Sequence, residues 1–132
     1  MAKEEQKMIT VVMLEPGKQA CRAEIDGSLE GMQKVVGGLI EPFYPLDFDI
    51  AIVCNEEGKL IGLPLNRAVY NPEGEMVDII AGTAFVCERA TATFGSLNEE
   101  QIERYMTLFK YPETFVRVGE KIVAVPFLNK NF

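Results

Sequence analysis

The stretch CNEEGKLIGLPLNRAVYNPEGEMVDIIAGTAF, from Cys54 to Phe85, decides the fold because it alternates short apolar runs with strong turn signals. The apolar residues 49–54 lead into it and predict a strand. Residues 55–59 predict a tight turn, in which Gly58 is free to take a positive φ. Residues 59–63 are expected to return as the partner strand of that hairpin.

The second half of the stretch holds its most polar residues. Pro64 disfavours helix at the residue before it but can begin one itself, so residues 64–70 predict a single helical turn or a tight loop. Residues 71–75 predict another turn. Residues 78–88 predict a strand that Gly82 interrupts with a bulge or a close backbone approach.

Strand signals continue on both sides of this stretch. Residues 8–14 are apolar and β-branched, and residues 19–25 alternate, so a hairpin is expected around Pro16 and Gly17. Residues 39–49 contain two prolines and predict an irregular extended segment whose aromatic side chains cover a sheet edge. Residues 115–127 predict a strand pair about a central glycine.

Two amphipathic helices are predicted from caps and apolar spacing. Ser28 is expected to begin the first, and Gly37 and Gly38 to end it. Asn98 and Gln101 form a capping box for the second. The apolar stripes of the two helices are Leu29, Met32, Val35 and Val36, and Ile102, Tyr105, Met106 and Phe109. Hairpins mixed with two helices predict an α+β fold, mainly an antiparallel sheet.

Length and composition place the chain among cytoplasmic single-domain proteins. Its 132 residues predict one domain, residues 1–132. No apolar run approaches the ~20 residues that cross a bilayer, and no secretory signal is recognised at the N-terminus. Cys21, Cys54 and Cys87 lie in apolar runs and predict buried free thiols rather than disulfides.

The net charge of −7 disfavours direct binding to nucleic acid, which needs a basic face. An acidic surface is instead compatible with simple solubility or with imitation of DNA.

The residue types present restrict the chemistry. The chain contains no histidine, which removes the usual general base and the commonest metal ligand. The cysteines lack the spacing of a zinc site, and no phosphate-binding glycine motif is present. We therefore expect no metal and no cofactor. A carboxylate mechanism remains open through Glu41, Glu56, Glu57 or Asp78.

Asn66 and Arg67 are the most suggestive polar pair. A guanidinium fork suits carboxylate or phosphate, and the carboxamide beside it adds a donor and an acceptor. With Thr83, which follows Gly82, and with Asn55, they are the predicted ligand-binding residues. The alternative is structural: Asn66 caps a turn, and Arg67 pairs with Asp78 or Glu57.

Five sequence blocks together resemble a small uncharacterised domain family. They are EPGK (15–18), VVGGLIE (35–41), CNEEGKLIGLPLNR (54–67), DIIAGTAF (78–85) and LNEEQIERYMTLFKYPETF (97–115). The resemblance covers about residues 9–115 and leaves 116–132 as a C-terminal strand pair or extension. The family that the chain resembles is a domain of unknown function carried by phages, plasmids and integrative elements of low-GC Gram-positive bacteria.

That resemblance implies an origin in a mobile element and supplies no activity. The leading hypothesis is a self-associating, non-enzymatic binding protein that sequesters a small anionic or nucleotide-like ligand to counter host defence. The first alternative is an acidic protein-binding or DNA-mimic inhibitor of a host restriction or defence enzyme. The second is a carboxylate-dependent enzyme.

Overall fold

The computed structural model describes residues 7–90 and 93–126. The elements within these residues are, in chain order, β1 (Met8–Leu14), β2 (Cys21–Asp26), α1 (Leu29–Val36), β3 (Ile40–Phe43), β4 (Ile50–Asn55), β5 (Leu65–Tyr70), β6 (Met76–Ala81), β7 (Ala84–Ala90), β8 (Thr93–Gly95), α2 (Glu99–Leu108), β9 (Glu113–Val118) and β10 (Lys121–Pro126). The strands pair antiparallel and dominate over two helices, so the fold is α+β, as predicted.

The main sheet has the strand order β2-β1-β7-β4-β3, and β8 pairs with the end of β7. Its three inner strands explain the longest apolar runs of the sequence. All six residues of β4 are buried, because β4 has a strand on each side and a packed layer on each face. Strands covered on both faces read as continuous apolar runs rather than as alternation.

Each face of the main sheet has its own hydrophobic core. On one face α1 packs through Met32 and Val36 against Ile9, Val53 and Phe85. On the other face lie α2 and the β5–β6 hairpin, whose buried side chains are Val69, Ile80, Ile102, Tyr105 and Phe109. Burying an aliphatic or aromatic side chain of this size contributes about 1.5–3 kcal/mol.

Both predicted helix starts are confirmed. The Ser28 hydroxyl accepts a hydrogen bond from the Gly31 amide at 3.0 Å, and Gly37 ends α1 with φ +80°. Asn98 and Gln101 form the reciprocal capping box of α2. One residue of the predicted stripe was wrong, because Leu29 is 58% exposed.

The β5–β6 hairpin replaces two incorrect predictions. Of residues 64–70, all but Pro64 form the strand β5 instead of a helical turn. Residues 59–63 form turns and irregular chain instead of a strand. The turn predicted at residues 71–75 is confirmed and connects β5 to β6, and the Asn71 side chain accepts hydrogen bonds there from the amides of Glu73 and Glu75. The hairpin is a separate two-stranded sheet that covers one face of the main sheet.

Residues 78–88 form parts of two strands in two different sheets. Gly82 lies between them with φ +81°, and a Cβ placed there would come within 2.6 Å of Leu63 Cδ1. The predicted close backbone approach is therefore present. The chain direction changes at this point, so β6 stays with β5 while β7 enters the centre of the main sheet.

The sheet edges hold the remaining corrections. Residues 40–43 form the edge strand β3, where the sequence predicted irregular chain. Tyr44 and Phe48 lie near that edge, and the Arg89 guanidinium stacks 4.5 Å and 5.1 Å from their ring centres. Cys54 and Cys87 are buried, as predicted, but Cys21 is exposed because β2 is the opposite edge strand.

Candidate functional site

A bulge in β5 turns Asn66 and Arg67 into the interior. The pairing of β5 with β6 slips by one residue between Leu65 and Arg67, which leaves Asn66 as the extra residue. Successive side chains of a regular strand point to opposite faces, and a bulge changes this alternation locally. Asn66 and Arg67 are accordingly 0% and 1% exposed, and Arg67 Nη1 donates to Asn66 Oδ1 at 2.5 Å.

Asn66 ties β5 to two neighbouring strand ends. Its Nδ2 donates to the carbonyl oxygens of Leu14 and Gly82, each at 2.9 Å. Leu14 is the last residue of β1, and Gly82 separates β6 from β7. Its side chain thus supplies hydrogen-bond donors to two carbonyl groups in the interior.

Arg67 binds three carbonyl oxygens from two other segments. Its Nε donates to Phe109 at the end of α2 at 2.8 Å. Its Nη1 and Nη2 donate to Glu15 and Lys18 of the β1–β2 turn, at 3.2 and 2.6 Å. A cation at a helix C-terminus also interacts favourably with the helix dipole. Arg67 therefore joins β5, the β1–β2 turn and α2.

The positive charge of Arg67 has no carboxylate within 4.0 Å among the residues described. The predicted pairing with Asp78 or Glu57 is wrong, because Asp78 pairs with Lys59. Burial lowers the pKa of Arg67 to about 10, and the charge of Glu113 opposes this shift. Four of the five guanidinium N–H groups have protein acceptors, which leaves one N–H on Nη2.

A small open cleft has Arg67 in its lining. We call it the Arg67 cleft; its volume is about 240 Å³. The side chains that matter for its chemistry come from the loop before β4, from β5 and from the segment after α2. They are Leu46, Arg67, Tyr70, Lys110, Tyr111 and Glu113.

The groups around the Arg67 cleft have fixed positions. Glu113 Oε1 accepts a hydrogen bond from the Ala68 amide at 2.7 Å. The Lys110 ammonium lies 5.2 Å from the centre of the Tyr111 ring. Burial, followed by the charge of Glu113, raises the pKa of Tyr70. The cleft thus combines two cations, one carboxylate and two phenol rings, a set suited to a small polar ligand with one flat face.

The other two predicted ligand residues lie elsewhere. Thr83 is half-buried between β6 and β7 and does not line the Arg67 cleft. Asn55 donates from Nδ2 to the Val36 carbonyl at 3.2 Å and accepts from the Glu57 amide at 2.8 Å. The structure brings Asn66 and Arg67 together but places Asn55 and Thr83 outside the Arg67 cleft.

Asn55 lines a second cleft of about 290 Å³, which also gathers most of the predicted acids. Glu41, Glu56 and Asp78 border it, and Asp78 forms an ion pair with Lys59. Within residues 7–90 and 93–126, no three Cys, Asp or Glu side chains are arranged to hold a metal ion. A carboxylate-dependent reaction at this second cleft stays a prediction.

Sequence reasoning missed the residues that surround Arg67 in its cleft. Tyr70, Lys110, Tyr111 and Glu113 belong to β5 and to the segment after α2, which are about 40 residues apart in sequence. Reading residues 65–70 as a strand would have placed Tyr70 on the outer side of the hairpin. No local signal indicates that the segment after α2 returns to β5.

The fold and the cleft together define a class: a small α+β domain with a polar pair, Asn66 and Arg67, buried at a strand bulge, of which Arg67 borders a surface cleft. A family model described as "Domain of unknown function (DUF3846)" matches residues 9–110, and the chain belongs to that family. No curated protein matches the chain, and neither does any solved structure. The part of the chain that the structure describes contains no helix long and apolar enough to cross a membrane.

Proposed function

We propose that this chain is a non-enzymatic binding protein that holds a small anionic or nucleotide-like ligand in the Arg67 cleft. The observation that carries this proposal is the buried guanidinium of Arg67. It borders an open cleft, has no carboxylate within 4.0 Å among the described residues, and keeps one N–H without a protein acceptor.

Electrostatics favours an anion at this position. Removing a cation from water is unfavourable, and burial lowers the pKa of Arg67 although the charge of Glu113 opposes this shift. A carboxylate or phosphate oxygen that accepts the remaining N–H would add a direct charged hydrogen bond in a partly desolvated site, where such bonds are strongest. Lys110, exposed at the rim, adds a second positive charge.

The size and the aromatic groups of the cleft restrict the ligand further. A volume of about 240 Å³ is below the ~300–1,000 Å³ of pockets that enclose drug-sized ligands. A phosphate, a small carboxylate or one part of a mononucleotide fits this volume. Tyr70 and Tyr111 offer ring faces on which a base could stack.

The biological setting of this proposal comes from the sequence resemblance. The resemblance of the five blocks to a domain carried by phages, plasmids and integrative elements supports a role in a mobile element, in the cytoplasm of a bacterial host. Sequestration of a small signal molecule would counter host defence without any catalytic group.

The test measures binding by isothermal titration calorimetry, with inorganic phosphate, acetate and a set of mononucleotides as ligands. Lys110→Ala is the informative variant. It removes the positive charge at the rim of the cleft but keeps the hydrogen bond from the Ala20 amide to the Lys110 carbonyl. We expect it to weaken binding of the anion about five- to tenfold. Lys34→Ala on α1 changes the net charge equally and should leave affinity unchanged, since Lys34 lies near Glu30 on the exposed helix face.

Two outcomes contradict the proposal. The wild-type protein binds none of these anions, or Lys34→Ala weakens binding as much as Lys110→Ala, which would show a general charge effect. In an NMR titration, changes in the chemical shifts of the Ala68 and Lys110 backbone amides that level off as ligand is added would locate the ligand in the Arg67 cleft.

The net charge of −7 favours a second candidate, an acidic protein-binding or DNA-mimic inhibitor of a host restriction or defence enzyme. Such an inhibitor competes with DNA for its target. Its binding weakens strongly as salt rises, because exposed charges are screened beyond about 10 Å at 0.1 M salt. Retention of the target at high salt, or its simultaneous binding to DNA, would contradict this candidate.

A further inference from the structure

The β9–β10 hairpin differs from the rest of the molecule in how it is packed. Neither hydrophobic core contains a residue of 113–126. Its side chains instead leave an apolar face in solvent, formed by Val116, Val118, Val123 and Val125, which are 40–60% exposed. A two-stranded hairpin is by itself at best marginally stable in water, and a third strand added at its edge would stabilise it.

The two faces of this hairpin are distinct. Val116 and Val123 are directly opposite each other, and alternation places Val118 and Val125 on their side. The opposite face leans on the body through Phe115 and Ala124, which are half-buried. The valine face therefore points away from the protein.

β10 is also an unprotected edge strand. Among residues 7–90 and 93–126 it pairs only with β9, so its outer row of backbone donors and acceptors has no strand partner. Proteins usually guard such an edge with charge or proline near its middle. Here Lys121 and Pro126 stand at the two ends, and Ile122–Val125 between them is apolar and uncharged.

The charge distribution decides which partner fits this edge. The described hairpin contains two acids, Glu113 and Glu120, and two bases, Arg117 and Lys121, so it is neutral. The net charge of −7 is therefore carried by the rest of the chain. The net negative charge makes two copies repel each other on average, and a contact between two neutral hairpins adds no further repulsion between like charges.

We propose that β10 pairs antiparallel with β10 of a second copy of this chain, which joins the two hairpins into a four-stranded sheet across a two-fold axis. A two-fold contact needs a self-complementary surface. In β10, centring the pairing on Val123 places Ile122 opposite Ala124 of the second copy and Lys121 opposite Val125, with no like charges opposed. The valine faces then form one continuous apolar surface.

The hairpin lies outside the family match, which ends at residue 110, while the Arg67 cleft lies mainly within it. Association through β10 is accordingly a property of the segment after the family domain. It does not depend on the ligand proposal, and each can fail alone.

The experiment determines the mass of the full chain by sedimentation over a range of concentrations. The monomer has a mass of 14.7 kDa, and the wild-type protein is expected to reach twice that mass. In Val123→Lys, two ammonium groups face each other at the centre of the pairing. We expect its dimer dissociation constant to rise at least about tenfold.

Val77→Lys is the matched control. Val77 is a 50% exposed strand valine in the β5–β6 sheet, and its substitution changes the net charge by the same amount. This variant should dimerise like the wild type. Hydrogen exchange adds a local measure, because the amides of Ile122–Val125 should gain protection as concentration rises in the wild type and not in Val123→Lys.

Three results would overturn the proposal. The wild type stays monomeric at all concentrations, or both variants dimerise equally, or the β10 amides become protected only when another protein is added. Protection of β1, β4 and β7 amides in Val123→Lys verifies that its main sheet is folded, so a loss of dimer cannot be attributed to unfolding.

Discussion

Arg67 is buried as a cation because backbone carbonyl oxygens replace the water that it loses. Phe109, Glu15 and Lys18 supply those oxygens, and Asn66 supplies a fourth acceptor. The same side chain that borders the candidate cleft therefore also connects three segments of the fold. Its structural role can be tested without reference to any ligand.

Replacing Arg67 should strongly destabilise the protein. Arg67→Ala removes the guanidinium donor from the Phe109, Glu15 and Lys18 carbonyl groups and from Asn66 Oδ1, and only Glu15 keeps a second donor, the Lys18 amide. We expect a loss of about 3 kcal/mol or more in the free energy of unfolding. Arg67→Lys keeps the charge but cannot reach all of these acceptors at once, so it should recover only part of that loss. Urea denaturation measures both values.

Arg104→Ala is the control for this comparison. Arg104 is an exposed residue of α2 that pairs with Glu100 one turn away, an interaction worth about 0.3–0.5 kcal/mol. A loss for Arg67→Ala no larger than that for Arg104→Ala would show that the hydrogen bonds of Arg67 do not hold the fold together.

Cys87 makes stability depend on alkaline pH. Burial raises the pKa of its thiol to about 12 from an ordinary value of 9.0. The unfolded thiol ionises first, so the stabilisation from keeping Cys87 protonated is complete below pH 9 and is lost as pH rises toward 12. The slope reaches at most about 1.4 kcal/mol per pH unit.

The variant Cys87→Ala isolates this contribution from the other groups that titrate at high pH. Cys54 and Tyr70 have raised pKa values and act with the same sign, whereas the lowered pKa of Arg67 acts with the opposite sign. The stability difference between wild type and Cys87→Ala should therefore narrow between neutral pH and about pH 10. Equal pH slopes in urea denaturation would contradict the assignment.

The sequence indicated the polar pair but not its environment. Asn66 and Arg67 were identified because two polar groups stood between apolar runs. Their burial depends on a one-residue register slip in β5 and on carbonyl oxygens about 40–50 residues away. Neither the slip nor those contacts leave a local pattern, which is why Arg67 was expected to meet a carboxylate or a ligand.

At the scale of elements, the predictions succeeded where a local signal determines the structure. The capping box of Asn98 and Gln101 and the αL glycine after α1 determined both helices. The prediction for residues 64–70 was wrong because Pro64 locally favours a helical turn or a tight loop, whereas tertiary pairing with β6 makes residues 65–70 a strand. The prediction of a strand at residues 59–63 was wrong because Gly58 suggested a hairpin turn, whereas the chain makes successive turns there.

Replacing Gly82, which lies at the β6–β7 junction, should lower the stability of the protein. Its φ of +81° strains any L side chain, and a Cβ would also lie 2.6 Å from Leu63 Cδ1 and 3.3 Å from Leu63 Cβ. The methyl end of Leu63 can move, but its Cβ is fixed to the backbone. We expect Gly82→Ala to lower the free energy of unfolding by about 2–4 kcal/mol.

Gly74→Ala separates the two causes. Gly74 has nearly the same φ, +83°, but a Cβ there meets nothing within 4 Å. Its substitution should lower stability only by about 1 kcal/mol, the effect of backbone strain alone. Similar losses for the two variants in thermal and urea denaturation would show that the Leu63 contact is unimportant.

For the whole molecule, the main sheet was more predictable than the layers on it. The continuous apolar runs of β1, β4 and β7 predict buried strands, and these three strands form the centre of the main sheet. The sequence did not show that β6 and β7 belong to different sheets, since only the φ of Gly82 and the Leu63 contact separate them. It also did not show that the C-terminal hairpin lies outside both cores.

That last feature predicts two levels of stability in one chain. Val12, Ile52 and Val86 are fully buried in the main sheet and should exchange their amide hydrogens only when the whole domain unfolds. The amides of β9–β10 should exchange through local opening, because no core residue holds the hairpin. Measured at low protein concentration, where the chain is monomeric, the free energy of opening of these amides should be a small fraction of the global free energy of unfolding.

Low urea should accelerate exchange of Val12, Ile52 and Val86 far more than that of the hairpin, since global unfolding exposes more surface. Equal protection and equal urea dependence across both regions would mean that the hairpin unfolds together with the main sheet.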